Sequence, residues 1–288
     1  MRGKFGQMPS KPTILNERSF LLGVGAQKAG TTWLHNYLAA HPEVLMSPVK
    51  EMNFFGNRAK TDGWPISAFR RKLRERMDAQ NKTGAKTGKN FLALRERIRM
   101  KGDTTAYRRF FRKRLRKETI YGEISPIYAK LDVEELNFIQ SRFRNTKVLY
   151  ILRNPVDRLW SQMRFDESFE TVEDLENIAE QVLTKAVYAD RSDYMRTIQN
   201  LESVFAPNQI HYAFYETLFT KAAITKICNF LDVGYRPASF SSKKNVSQKL
   251  PLSPLLRPKL VLQLRDQYDF VGDKFQQDLP PSWIADYP

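Results

Sequence analysis

Eight consecutive residues, Gly25-Ala26-Gln27-Lys28-Ala29-Gly30-Thr31-Thr32, concentrate chemistry suited to an anion. Glycines let the backbone turn with its N–H groups inward, and a helix N-terminus adds partial positive charge. Lys28 adds a full charge, and Thr31 and Thr32 place hydroxyl donors at the start of the following helix. The competing reading is a glycine-rich turn with an N-capping threonine. In a Walker A loop, G-x-x-x-x-G-K-[ST], the lysine follows the second glycine. Here Thr31 stands in that place and the lysine precedes Gly30. The apolar run TKVLYIL also ends in Arg153 where a magnesium-holding aspartate would stand. The loop suits a phosphate and is poorly equipped for Mg-ATP. Arg153 itself, a cation after a buried strand, faces the crevice in which α/β proteins bind ligands.

Other reactive side chains are sparse. His35, His41 and His211 form neither an H-x-x-x-H pair nor a zinc pattern, so no metal is expected. The single Cys228 cannot form an internal disulfide.

The elements that must position these residues alternate between strand and helix. Residues 19–25 (SFLLGVG) read as a strand buried in a parallel sheet, and residues 30–40 as a helix stopped by His41-Pro42. A short strand lies within HPEVLMSPV, TIYGEI is another, and TKVLYIL is the clearest. A helix is expected to start near Pro155, helical patterns fill residues 170–205, and residues 209–214 form a last strand. Helices over 216–231 and 255–275 close the chain around a polar loop at 236–254. The expected fold class is α/β, a single domain with a central, mostly parallel sheet flanked by helices and a P-loop-like phosphate loop. Residues 1–18 are expected as a flexible arm and residues 19–288 as the domain.

Of 288 residues, 47 are basic and 31 acidic, a net charge of +16. Residues 70–117 alone hold 19 Lys or Arg against 4 Asp or Glu, so the basicity is that of a helical insert. Such a block suits a polyanion, or is a solvated helical face. With 42% hydrophobic residues, the composition excludes a disordered or disulfide-stapled chain. The apolar runs fall well short of the roughly 20 residues that span a bilayer. Glu17 and Arg18 abut the first run, which argues against a signal peptide and for a cytoplasmic protein.

These motifs resemble a known family. GVGAQKAGTTWL is similar to the 5'-phosphosulfate loop of sulfotransferases, which use 3'-phosphoadenosine 5'-phosphosulfate (PAPS), and VLYILRNPVDRLWSQ is similar to their 3'-phosphate motif. HPEVLMSPVKEMNFF resembles the segment that carries the glutamate base in heparan sulfate and related bacterial sulfotransferases. YGEISPIY and LRDQYDFVGDKFQQDLP resemble other stretches of that group, so the likeness covers most of the chain from Phe20 onward.

The resemblance implies PAPS as sulfuryl donor, 3'-phosphoadenosine 5'-phosphate (PAP) as product, and no metal. Lys28 would contact the sulfate-bearing phosphate and neutralise charge on it as it leaves, with Ala29, Gly30, Thr31 and Thr32 as cradle. Trp33 would stack on the adenine, with a core position at helical spacing from Tyr37 as its competing reading, and Arg153 and Ser161 would hold the 3'-phosphate. Lys243, Lys244 and Asn245 would close over the nucleotide, although the family's Lys-Gly pattern is absent there. Glu51 is the candidate base, with a pair to Lys50 as its competing reading; Glu123 is the second choice for base or acceptor contact, and Lys50 a further acceptor contact. The expected reaction moves a sulfuryl group to a hydroxyl or amino group of an acceptor: a saccharide or other acidic compound, a lipid headgroup or a small molecule. The alternatives are a P-loop kinase, which the displaced lysine opposes, and a protein that binds nucleic acid or membrane, for which little beyond charge speaks.

Overall fold

In the computed structural model the apolar run of residues 19–25 forms the central strand of a sheet. The structure describes residues 14–61, 65–83, 89–166, 171–179, 181–240 and 250–287. β1 (Ser19–Gly25) leads into α1 (Thr31–Ala39), β2 (Val44–Met46) and the short α2 (Phe54–Arg58). The basic region folds as α3 (Ile66–Thr83), α4 (Lys89–Arg99) and α5 (Thr104–Arg112). β3 (Ile120–Ile124), α6 (Val133–Arg142), β4 (Thr146–Leu152) and α7 (Pro155–Asp166) follow. Next come α8 (Val172–Ala179), α9 (Ala186–Ser192), α10 (Tyr194–Val204) and β5 (Ile210–Phe214). The chain closes with α11 (Tyr215–Leu218), α12 (Lys221–Leu231), α13 (Leu256–Gln263), α14 (Arg265–Phe275) and α15 (Pro281–Ala285).

All strand pairs are parallel, in the order β2-β3-β1-β4-β5, and helices flank the sheet as a single domain. Burial on both faces explains why β1 and β4 read as continuous apolar runs without alternation. Gly122 is required where β3 meets β1: a Cβ there would lie 2.0 Å from the Leu21 carbonyl oxygen. The chain leaves β1 toward β2 and β3 on one side and reaches β4 on the other. A crevice therefore opens at the carboxyl ends of β1 and β4.

Several boundaries differ from the sequence reading. The expected helix at 216–231 is divided into α11 and α12, because the Thr220 side chain accepts from the Ala223 N–H at 3.2 Å and starts a new helix. The closing helix likewise breaks at Leu264. Of the expected arm, Ile14–Glu17 is a 3-10 turn that buries Leu15 in the core. The basic region is not merely a solvated face, since Leu94, Arg97, Tyr107, Phe110 and Phe111 are all buried. Among the described residues no helix is long and apolar enough to cross a membrane.

Candidate functional site

The loop between β1 and α1 turns through two residues in the left-handed region, Lys28 at φ 66° and Gly30 at φ 78°. A Cβ on Gly30 would also approach Leu218 Cδ2 at 3.0 Å, so this position needs glycine. The Ala26 N–H donates to the Ile151 carbonyl at 2.7 Å and ties the loop to β4. Gly30 is the N-cap of α1, and no side chain caps the helix. The first-turn N–H groups, which have no partner within a helix, are thus left to whatever sits at its end. A helix N-terminus beside Lys28, Thr31 and Thr32 fits a phosphate or sulfate group.

Arg153 follows β4 at the same end of the sheet. Its Nη1 donates to the Lys28 carbonyl at 2.7 Å, so the two motifs meet directly across the crevice. The guanidinium packs on Tyr215, 4.5 Å from the ring centroid, and its Nε is buried with no partner among the described residues. A buried cationic donor in that state fits an anion. The turn beneath it is firmly held. Tyr194 Oη donates to the Arg153 carbonyl at 2.6 Å, and the Asn154 N–H donates to Glu216 Oε1 at 2.8 Å. Asn154 Nδ2 donates to Asp286 Oδ2 at 2.7 Å while Tyr268 Oη donates to Asn154 Oδ1 at 2.9 Å, which brings α14 and the segment after α15 under the site. Burial pushes the Glu216 carboxyl up, with its bond from Asn154 working against that rise.

Lys28 Nζ lies 4.0 Å from the centroid of the exposed Phe165 ring in the last turn of α7. Ser161 stands four residues earlier, on the same helix face, and is buried. Trp33 does not face open space. It stacks on Tyr37 and Phe240, meets Phe219 edge-on, and donates from Nε1 to the Ser239 carbonyl at 3.2 Å. The ring named as an adenine partner is thus engaged in packing. Lys243, Lys244 and Asn245 lie outside the described residues.

Glu51 sits in the segment after β2 with φ 55°, and Asn53 with φ 48°, both in the left-handed region that non-glycine residues seldom adopt. Glu51 Oε1 accepts from Lys50 Nζ at 2.5 Å, the pairing anticipated as its competing reading; both side chains remain partly exposed. Lys50 also lines a cavity of about 450 Å³ between α1, the segment after β2, α3 and α4.

Glu123 is corrected. Its carboxylate is fully buried and accepts from Tyr107 Oη and Tyr128 Oη at 2.8 Å each and from Ser125 Oγ at 2.6 Å. A carboxylate with no exposed surface does not touch a dissolved acceptor. It holds the Glu51 segment instead, because Ser125 Oγ accepts from the Asn53 N–H at 3.1 Å and Tyr128 Oη accepts from the Phe54 N–H at 2.9 Å. Arg97 completes the clamp. Its Nε donates to the Met52 carbonyl at 2.5 Å, and its Nη2 to the Asn53 carbonyl at 3.2 Å and Asn57 Oδ1 at 2.5 Å. Burial raises the Glu123 carboxyl above its ordinary range, against the three hydroxyl bonds and Arg97. Sequence reasoning missed Arg97 and Tyr107 because each stands in the basic block as one more cation or aromatic; only the fold turns them inward.

Residues 21–237 match the model of a family described as the sulfotransferase family. Among solved structures, the chain is similar to a sulfotransferase from Alicyclobacillus acidocaldarius, with TM-score 0.61 and 20% identity over 96% of this chain and 99% of that one. It is also similar to the sulfotransferase domain of the Synechococcus PCC 7002 olefin synthase, with TM-score 0.50 and 17% identity over 96% of this chain and 100% of that one. These likenesses concern the fold. Comparison with curated proteins finds no match.

Proposed function

The chain belongs to the sulfotransferase family, and from that premise we propose that it transfers a sulfuryl group from PAPS to a hydroxyl or amino group of an acidic acceptor, such as a saccharide. The observation that carries the donor assignment is the hydrogen bond from Arg153 to the Lys28 carbonyl, which joins two separate anion-binding motifs in one crevice. A nucleotide carrying phosphates on both its 3' and 5' positions uses both; a single-phosphate ligand uses one. Bound there, PAPS supplies the sulfuryl group and a bisphosphate leaving group.

The residues then divide the work. The backbone of residues 29–32 and the hydroxyls of Thr31 and Thr32 hold the 5' end, and Lys28 offsets charge that develops on the departing oxygen. Arg153 and Ser161 hold the 3'-phosphate. Glu51 accepts the proton of the acceptor, and Lys50 orients its carboxylate. The heparan-type kinship suggested by the VKEMNFF segment and a cytoplasmic setting, on the charged Glu17-Arg18 pair beside the first apolar run, belong to the same proposal.

Calorimetry tests the donor assignment. PAP should bind at least tenfold tighter than AMP, and Arg153→Ala should abolish most of that difference, as expected for loss of a charge-assisted bond at about 1.5–3 kcal/mol. Equal affinity of the parent protein for AMP and PAP would overturn it.

A further inference from the structure

The cavity beside Glu51 has two unlike walls. Phe69 and Leu94 contribute an apolar side, whereas Lys50, Lys72 and Arg76 bring cations to it. Those cations crowd one another. The Lys72 ammonium is pushed down by burial first, then by Arg76 and also by Lys50, with Glu51 and Glu75 acting in the opposite sense. An anion brought to such a wall offsets the repulsion among the cations and the cost of their partial burial.

His35 adds an uncharged part to the wall. It lines the cavity from α1 yet is 94% buried by its 6% relative exposure, and its Nδ1 has no hydrogen-bond partner among the described residues. Burial, with Lys50 adding to it, lowers the ring to about 4, so it is neutral at ordinary pH. Lys50 joins this cavity to the reaction. It is part of the lining and its Nζ donates to Glu51 Oε1 at 2.5 Å, so the cavity adjoins the proposed base one residue along the chain.

Resting on the sulfotransferase reading above, we infer that this cavity is the acceptor subsite and takes a compact anionic hydroxy compound with an apolar face. Its carboxylate, phosphate or sulfate group sits against Lys72 and Arg76, and its apolar face against Phe69 and Leu94. A volume of about 450 Å³ falls within the range of small-molecule sites and holds a body of one or two rings.

Two matched probes test this on the PAP-loaded protein: phenyl β-D-glucuronide and phenyl β-D-glucoside, which share the phenyl group, the sugar ring and its secondary hydroxyls and differ by a carboxylate against a hydroxymethyl group. PAP is titrated first into every variant. The glucuronide should bind about tenfold tighter than the glucoside, and the double variant Lys72→Met/Arg76→Met should bring the ratio to about one. His35→Ala should weaken both probes by about the same factor, since it reshapes the wall without changing its charge. Both variants should keep PAP affinity within about twofold of the parent, because none of the three side chains lies in the donor loop. If PAP binds the parent normally but the two probes bind equally, or neither binds, or the preference survives in the double variant, the subsite is overturned and the donor reading stands. If the parent does not bind PAP, the sulfotransferase reading falls and the subsite with it.

Discussion

Glu51 holds its carboxylate on a left-handed backbone, φ 55°, next to Asn53 in the same state. Non-glycine residues in that region cost about 1–3 kcal/mol each and persist where surrounding contacts fix them. Such strain is expected where a side chain must be aimed. Glu51→Gln keeps the shape and the contact region of the side chain but removes the proton acceptor. Turnover should fall about 100-fold or more while PAP affinity stays unchanged, as read by single-turnover sulfate transfer alongside calorimetry. Lys28→Ala should lower both, PAP affinity by about tenfold, because Lys28 serves ground state and transition state alike. Near-normal turnover of Glu51→Gln would remove it from the chemistry. Its neighbour Glu123 cannot then take its place, being sealed beneath three hydroxyls.

At the scale of elements, the basic region acts as a brace. α4 sends Arg97 to three acceptors around residues 52–57, and α5 sends Tyr107 to Glu123, whose other partners grip the Asn53 and Phe54 amides. Much of the charge on these helices is already engaged. Arg108 donates to the Arg142 carbonyl and to Asn16 Oδ1, each at 2.6 Å, and Arg114 pairs with Glu96 at 2.8 Å. Tyr107→Phe removes one of three bonds to a buried carboxylate and should cost about 1–2 kcal/mol of stability. If the clamp positions Glu51, kcat should fall about tenfold with PAP affinity intact. Phe110→Leu, a packing change in the same helix, serves as control, because it should lower stability and leave kcat near its parent value. Equal effects of the two variants on kcat at matched stability would reduce the clamp to ordinary packing. Arg97→Met should be more severe, about 3–5 kcal/mol, since it strands buried acceptors, and Arg97→Lys should restore part of both stability and turnover.

For the molecule as a whole, acid should be destabilising through the buried His35 and the half-buried His211. Burial lowers His35 and His211 to about 4 from 6.5, with Lys50 and Lys226 respectively adding to the effect. Between those values the unfolded chain takes up protons that the folded chain refuses, so stability falls as pH drops through the window from 6.5 to 4. Glu123, Glu135 and Glu216 act with opposite sign, because burial raises them and the folded chain holds protons above the usual carboxylate range. Thermal melts across that window should show a smaller fall in Tm for His211→Leu than for the parent, with up to on the order of 2 kcal/mol at stake. Parallel curves would mean that His211 titrates normally in the folded chain. What the amino-acid sequence determined by itself is local: apolar runs at the strands, the glycine and threonine pattern of residues 25–32, and Arg153 at the end of the strongest strand. These follow from periodicity and backbone freedom, which short segments encode. Tertiary structure alone decided that Arg153 meets the Lys28 carbonyl, that Glu123 turns inward while Glu51 stays partly exposed, and that His35 lines a cavity with Lys72 and Arg76. Charge and residue type do not reveal which way a side chain points. Burial and hydrogen-bond satisfaction decide that, and both depend on residues far apart in the chain, as with Arg153 and Lys28 across the β1–β4 crevice.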